Sequence, residues 1–155
     1  MFVQPEKRNI GYVFQDCALF PHLTILQNIF FGMKSIEIEK QKNKIQSLMS
    51  EVNVSSLAQK FPHELSGGEQ QRVSIARAFV RPNLKAVFLD EPLTALSPKL
   101  KWQLRKKIKT LQREDRVTMV FVTHDQTEAL SFADRVGIID AGTLVQLDEP
   151  ETIYE

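Results

Sequence analysis

Four short stretches of this chain hold residue types able to do chemistry. Leu65-Ser66-Gly67-Gly68-Glu69 runs on through Gln70, Gln71 and Arg72 to Ala76-Arg77-Ala78. Ser66 can cap a helix starting there, and Glu69, three positions on, can reach back to complete a capping box. The two glycines set bare backbone amides just ahead of a helix N-terminus, where the macrodipole favours an anion. The stretch is therefore a candidate phosphate site, although Gly-Gly before a helix is by itself more often a flexible entry to a surface helix. Asp90-Glu91-Pro92 brings two adjacent carboxylates, Thr123-His124-Asp125 an imidazole and Gln15 an amide, each directly after an apolar, β-favouring run. Taken singly, these would be a turn, a structural histidine and a polar strand end. Ligand sites in open parallel sheets lie just beyond the carboxyl ends of the strands, which makes the two carboxylates well placed for chemistry.

The elements that must position these residues follow from pattern and punctuation. Ile10 to Phe14 reads as a strand, broken by Asp16 and the Phe20-Pro21-His22 turn. Thr24 caps a short helix to Phe31, with Phe30 and Phe31 as core packing. Glu37 to Ser50 reads as one amphipathic helix that buries Ile38, Ile45, Leu48 and Met49 and leaves Glu39, Lys40, Lys42 and Lys44 in solvent. After Ser66, the residues Val73, Ala76 and Val80, with Ile75 and Phe79 beside them, give the next helix its apolar face. Arg81-Pro82-Asn83 stops it, and Lys85 to Leu89 is a near-continuous apolar run, the pattern of a parallel strand covered on both faces. Ser97 can cap a following helix with Pro98 at its first position. That helix, Pro98 to Gln112, carries Lys99, Lys101, Arg105, Lys106, Lys107 and Lys109, spread around it as a solvated surface rather than a nucleic-acid patch. Val117 to Val122 is a further strand. Asp125 caps Gln126 to Ala133, with Glu128 in capping-box position. Val136 to Ile139, a Gly142 turn and Leu144 to Leu147 read as a hairpin.

Composition bounds the class. The 155 residues, 43% apolar, suit one α/β domain with a sizeable core. Charged residues make up 25% and the net charge is +1, so nothing advertises a polyanionic partner. The single Cys17 excludes an internal disulfide and fits a reducing compartment. No apolar run approaches the roughly 18 residues of a membrane span, and the opening Met-Phe-Val-Gln-Pro-Glu-Lys-Arg has no apolar h-region, so a soluble, cytoplasmic chain without a signal peptide is expected. There is no internal repeat and no low-complexity segment.

The wording Leu-Ser-Gly-Gly-Glu-Gln-Gln-Arg-Val-Ser-Ile-Ala-Arg-Ala resembles the signature motif of ATP-binding-cassette (ABC) ATPases, and the other stretches resemble the same family's motifs at fitting separations. The resemblance implies a P-loop NTPase-like ABC ATPase domain, a partial parallel-sheet core plus a helical subdomain, with ATP and Mg2+ as its ligands. Residues 18–80 would form the helical subdomain, and 1–17 with 81–155 the sheet core. By motif position, Gln15 would be the Q-loop glutamine that reaches magnesium and the attacking water. Asp90 would hold magnesium through water, and Glu91, in the Walker B position, would polarise the water that attacks the γ-phosphate. His124 would be the switch histidine that contacts the γ-phosphate. Leu65, Ser66, Gly67, Gly68 and Glu69 would serve in trans, closing on nucleotide held by a second ATP-binding subunit in a head-to-tail dimer. Ser97 stands where the family's D-loop usually has aspartate, which is expected to weaken alignment of the two halves.

The form of the Q-loop, Val-Phe-Gln-Asp-Cys-Ala-Leu-Phe-Pro-His-Leu-Thr, and the ending Asp148 to Tyr154 resemble importers. Transmembrane permease subunits are then the implied partners, with a substrate-binding protein acting indirectly. The location would be cytoplasmic, peripheral at the inner face of the membrane, and no nucleic acid is implied. Cargo would be a sugar, glycerol phosphate, a polyamine, or a metal or oxyanion nutrient, in no order. Two alternatives stay open: a non-catalytic partner that lends its signature motif to another subunit's ATP site, and a fragment of a soluble ABC ATPase. No Gly-Lys pair occurs in the chain, so no P-loop (G-x-x-x-x-G-K-[ST]) is present. The expectation is a cassette truncated at its N-terminus, whether engineered, a gene fragment or the product of an internal start. Without the loop's nested amides and lysine the β- and γ-phosphates lose their main cradle. Calorimetry on the folded 155-residue chain should therefore show no magnesium-ATP binding; micromolar binding would mean that the remaining motifs build a nucleotide site by themselves.

Overall fold

A computed structural model describes residues 3–153. Met1 and Phe2 of the opening stretch, and Tyr154 and Glu155 at the close, lie outside the described residues. Strands β1 (Ile10–Val13), β2 (Ala86–Asp90) and β3 (Thr118–Val122) form one parallel sheet in the order β1-β2-β3. Ile10 pairs with Ala86 and Val13 with Leu89, while Asp90 pairs with Val122. This register brings the carboxyl ends of all three strands to one edge, which is where Gln15, Glu91 and His124 follow.

Between β1 and β2 the chain makes α1 (Ile25–Phe30), α2 (Ser35–Lys40), α3 (Lys42–Glu51) and α4 (Gly67–Phe79). The single helix expected over 37–50 is broken at Gln41, whose backbone leaves helical geometry (φ −111°, ψ 11°), and Ile38 is only partly buried as a result. Ile45, Leu48 and Met49 do face the core. Helix α5 (Pro98–Asp115) joins β2 to β3, α6 (Gln126–Phe132) follows β3, and the antiparallel hairpin β4 (Val136–Asp140) and β5 (Thr143–Asp148) precedes the short α7 (Pro150–Ile153).

The core lies on one side of the sheet. Val13, Val87 and Leu89 point into it and meet Ile25, Ile29, Val73, Ile75, Phe79 and Ile108, all essentially without exposed surface. The other face carries Tyr12, Val120 and Val122, which stay exposed, with the Tyr12 and Phe88 rings stacked 6.1 Å apart. Strand β2 is therefore buried on alternate residues, not on both faces as its apolar run suggested. The basic helix is likewise less solvated than its composition implied. Lys107 pairs with Glu51 at 2.6 Å, Asp115 receives Lys44 at 2.7 Å, and the Lys109 ammonium donates to the Phe132 carbonyl. These contacts tie α5 to α3 and α6, although exposed pairs of this kind add only about 0.2–1 kcal/mol each.

The tightest packing is between α4 and β1. A Cβ on Gly11 would lie 2.5 Å from the Ala78 carbonyl oxygen, so the strand lies directly on the helix backbone and only glycine fits. Since the obstructing atom is backbone and cannot rotate away, Gly11→Ala should lower stability by about 1–3 kcal/mol, the usual effect of overpacking. Urea unfolding checks this, and an unchanged midpoint would show that β1 can slide off α4.

Candidate functional site

Helix α4 starts as its sequence suggests. Ser66 is the N-cap, its Oγ accepting from the Glu69 backbone N–H at 3.3 Å while the Glu69 carboxylate accepts from the Ser66 N–H at 2.8 Å. The Ser66 hydroxyl also donates to that carboxylate, and these bonds hold the Glu69 carboxyl below its usual range. Gly67 and Gly68 open the helix with amides that have no intrahelical acceptor. A Cβ on Gly68 would lie 3.0 Å from Leu96 Cδ2 and 3.4 Å from the Ala95 carbonyl oxygen, so the glycine lets the loop after β2 rest on the helix start.

That loop carries the carboxylates. Glu91 sits in the left-handed region (φ +48°), with its N–H donating to the Val122 carbonyl at 3.0 Å. The Glu91 Oε1 lies 2.7 Å from His124 Nδ1, and its Oε2 accepts from the Thr94 hydroxyl at 3.0 Å. Burial pushes the Glu91 carboxyl up, but the His124 and Thr94 hydrogen bonds and the imidazole's charge outweigh it, so the group lies below its ordinary 4.5. The same bond to Glu91, then the carboxylate's charge, raises His124 above its ordinary 6.5.

His124 is held from behind. Buried Glu128 accepts from the Thr123 hydroxyl at 2.9 Å and lies 3.5 Å from the Lys101 ammonium. Asp125 caps α6 through the Glu128 N–H as expected, but Glu128 does not complete the capping box, because Thr123 and Lys101 claim its carboxylate. Ser97 is the N-cap of α5 by backbone conformation, yet its hydroxyl makes no cap bond, contrary to the expected side-chain cap.

The carboxylate of half-buried Asp90 makes no side-chain hydrogen bond or ion pair among the described residues, and exposed Gln15 bonds to none of these groups. No cluster of three or more His, Cys, Asp or Glu side chains suited to a metal exists among the described residues. One unpartnered carboxylate and an amide nevertheless fit magnesium, which keeps several waters and binds through one or two carboxylates plus substrate phosphates.

No motif or spacing in the sequence marks three positioning side chains. Asn28, fully buried, accepts from the Phe20 N–H and donates to the Phe20, Leu23 and Thr24 carbonyls, fixing the turn beyond Gln15. The Arg77 guanidinium donates to the Cys17 and Ala18 carbonyls at 2.8 Å and lies over the Phe20 ring. Gln71, also buried, spans from α4 to the loop after β2. Each is a polar residue on an apolar helix face, the one cue that could have marked it.

The Glu91–His124 pair sets a pH window. A raised histidine contributes stability below pH 6.5 and loses it as pH rises through its raised value. A lowered carboxylate contributes above pH 4.5 and loses it as pH falls through its lowered value. The pair is therefore at full strength between these two values. NMR titration of the His124 ring should give a midpoint above 6.5 that returns to about 6.5 in Glu91→Gln. A wild-type midpoint at or below that value would mean that the bond does not persist in solution.

Comparison with known proteins gives the family and the fold. A family model described as ABC transporter matches residues 3–94. The spermidine/putrescine import ATP-binding protein PotA of Chromobacterium violaceum is 44% identical over 155 residues, which span 98% of this chain and 42% of that protein. The Fe(3+) ions import ATP-binding protein FbpC of Haemophilus influenzae is 40% identical over 151 residues, 96% of this chain and 43% of the relative. This chain thus spans about two fifths of the length of these curated relatives. A dimeric post-hydrolysis structure of the ATP-binding cassette MJ0796 bound to ADP and Pi superposes with a TM-score of 0.79 at 32% identity, covering 94% of this chain and 65% of that one. The chain belongs to the ABC transporter family, with the fold of its ATPase cassettes.

Proposed function

We propose that this chain is part of the ATP-binding and ATP-hydrolysing subunit of an ABC importer, working in pairs beneath a membrane permease. No helix of the described residues is long and apolar enough to cross a membrane, so passage of cargo would belong to other subunits. In this reading residues 18–80 form the helical subdomain that meets the permease, and 1–17 with 81–155 the sheet core. The observation that supports it most is the 2.7 Å contact of Glu91 with His124 at the carboxyl edge of a parallel sheet. Ser66, Gly67 and Gly68 stand at the other end of the same loop's packing.

Chemistry follows from these groups. Glu91 would take the proton of a water as its oxygen bonds to the γ-phosphorus and the bond to the β-bridging oxygen breaks. A bound magnesium, near Asp90 and Gln15, would neutralise phosphate charge. A carboxylate below its ordinary range is a weak base, and general-base catalysis favours a value near the working pH. The pair must therefore part for turnover. When His124 swings to the γ-phosphate it gives up the bond that lowers Glu91, and the carboxylate becomes more basic as water is aligned. Leu65 to Glu69 would close on the partner subunit's nucleotide, with the Gly67 and Gly68 amides facing phosphate.

The relatives named for polyamines and for ferric ions differ little in identity, 44% and 40%, so this stretch of chain is shared across cargo chemistries. Cargo choice would then reside in the permease and binding protein. In the reconstituted transporter, Glu91→Gln should lower kcat for ATP by about 10²- to 10⁴-fold and leave KM nearly unchanged. A variant that turns over like wild type would remove Glu91 as the base.

A further inference from the structure

Gln71 has a buried primary amide with a use at each end. Its side chain is 1% exposed, in the second turn of α4. Nε2 donates to the Glu91 carbonyl at 3.0 Å, and Oε1 accepts from the Ala95 N–H at 3.1 Å. The two partners bracket the Pro92-Leu93-Thr94 turn, so one side chain ties off the loop that begins with the key carboxylate. Glu91 needs such a tie. A non-glycine residue in the left-handed region is strained and persists only where its surroundings over-determine it. Its N–H is fixed by β3 and its carbonyl by Gln71, with the Thr94 hydroxyl also donating to that carbonyl at 3.2 Å. With both flanking peptide groups fixed, the direction of the Glu91 side chain is fixed as well, toward His124.

The same glutamine sits one helical turn beyond Gly67 and Gly68. The helix start already touches this loop where Gly68 meets Leu96 and Ala95. Helix α4 and the Glu91 loop are thus joined at two points, one by packing and one by a pair of hydrogen bonds. We propose that Gln71 is a positioning residue that sets the aim of the Glu91 carboxylate and links it to the phosphate-facing end of α4. A shift of that helix end on meeting phosphate is then delivered to Glu91 of the same chain. This inference rests on the reading of Glu91 as the base, but its first test does not.

That test is NMR titration of the His124 ring in the 155-residue chain. In Gln71→Met, which keeps side-chain length and removes both bonds, the His124 midpoint should fall toward the ordinary histidine value. Unfolding curves run alongside show whether the variant is folded. A folded variant with His124 still raised overturns the proposal. If the variant does not fold, the wild-type chain decides. The Gln71 side-chain amide signal should move with the midpoint of His124, since Glu91 is bonded to both; a signal flat through that titration overturns the proposal equally. In the reconstituted transporter, Gln71→Met should lower kcat about 10²-fold at unchanged KM for ATP, the scale of a misplaced catalytic group. Should Glu91→Gln leave ATP turnover intact while His124 still responds to Gln71, the base assignment fails and the positioning role stands.

Discussion

The close seating of α4 on its neighbours is the constraint from which the rest of the arrangement follows. Near its C-terminal end the Ala78 carbonyl presses on Gly11 of β1, and at its N-terminal end Gly68 accepts Leu96 and Ala95. Glycine at both contacts lets backbone meet backbone or side chain with no intervening Cβ. Between them the helix buries Val73, Ile75, Ala76 and Phe79. Arg77 reaches out to the carbonyls beyond Gln15, and Gln71 to the Glu91 carbonyl and the Ala95 N–H beyond Asp90. One helix thus fixes the exits of two adjacent strands, and the free amides of Gly67 and Gly68 belong to the same helix.

What could be read in the chain was local. The cap at Thr24 and the capping box at Ser66 are interactions across three residues, and both form. Asp125 illustrates the limit. Its own cap bond forms, but Glu128 is drawn to Thr123 and to Lys101 on α5, a partner that no local pattern names. The apolar run of β2 suggested cover on both faces, whereas burial depends on what stacks on the sheet, and here one face stays open. The break at Gln41 leaves no mark in the pattern because the helical period resumes on the far side. Glu91 and His124 were legible as separate motifs through family resemblance, while their contact depends on strand register across 33 positions. In the sequence Gln71 is one letter of the signature stretch. Its role exists only once the loop folds over it.

The electrostatics give the site a resting form. Glu91 and His124 satisfy each other, which keeps the carboxylate weakly basic and the imidazole charged over a wider pH range. Glu69 is engaged by Ser66 in the same manner. The Asp90 carboxylate, by contrast, makes no hydrogen bond or ion pair among the described residues. Glu91 and His124 are thus paired at rest, while the neighbouring carboxylate is left open.

The parallel register has a consequence for how the molecule comes together in time. Ile10 must find Ala86 across all of α1 to α4, whereas each helix closes over a few residues. Contacts so distant along the chain form slowly, because loop-closure entropy opposes them until other structure has shortened the gap. Gly11 meets Ala78 across a comparable gap, so β1 depends on the same closure for its helix as for its partner strand. The edge that holds Glu91 and His124 is thus built on closures that span most of the chain.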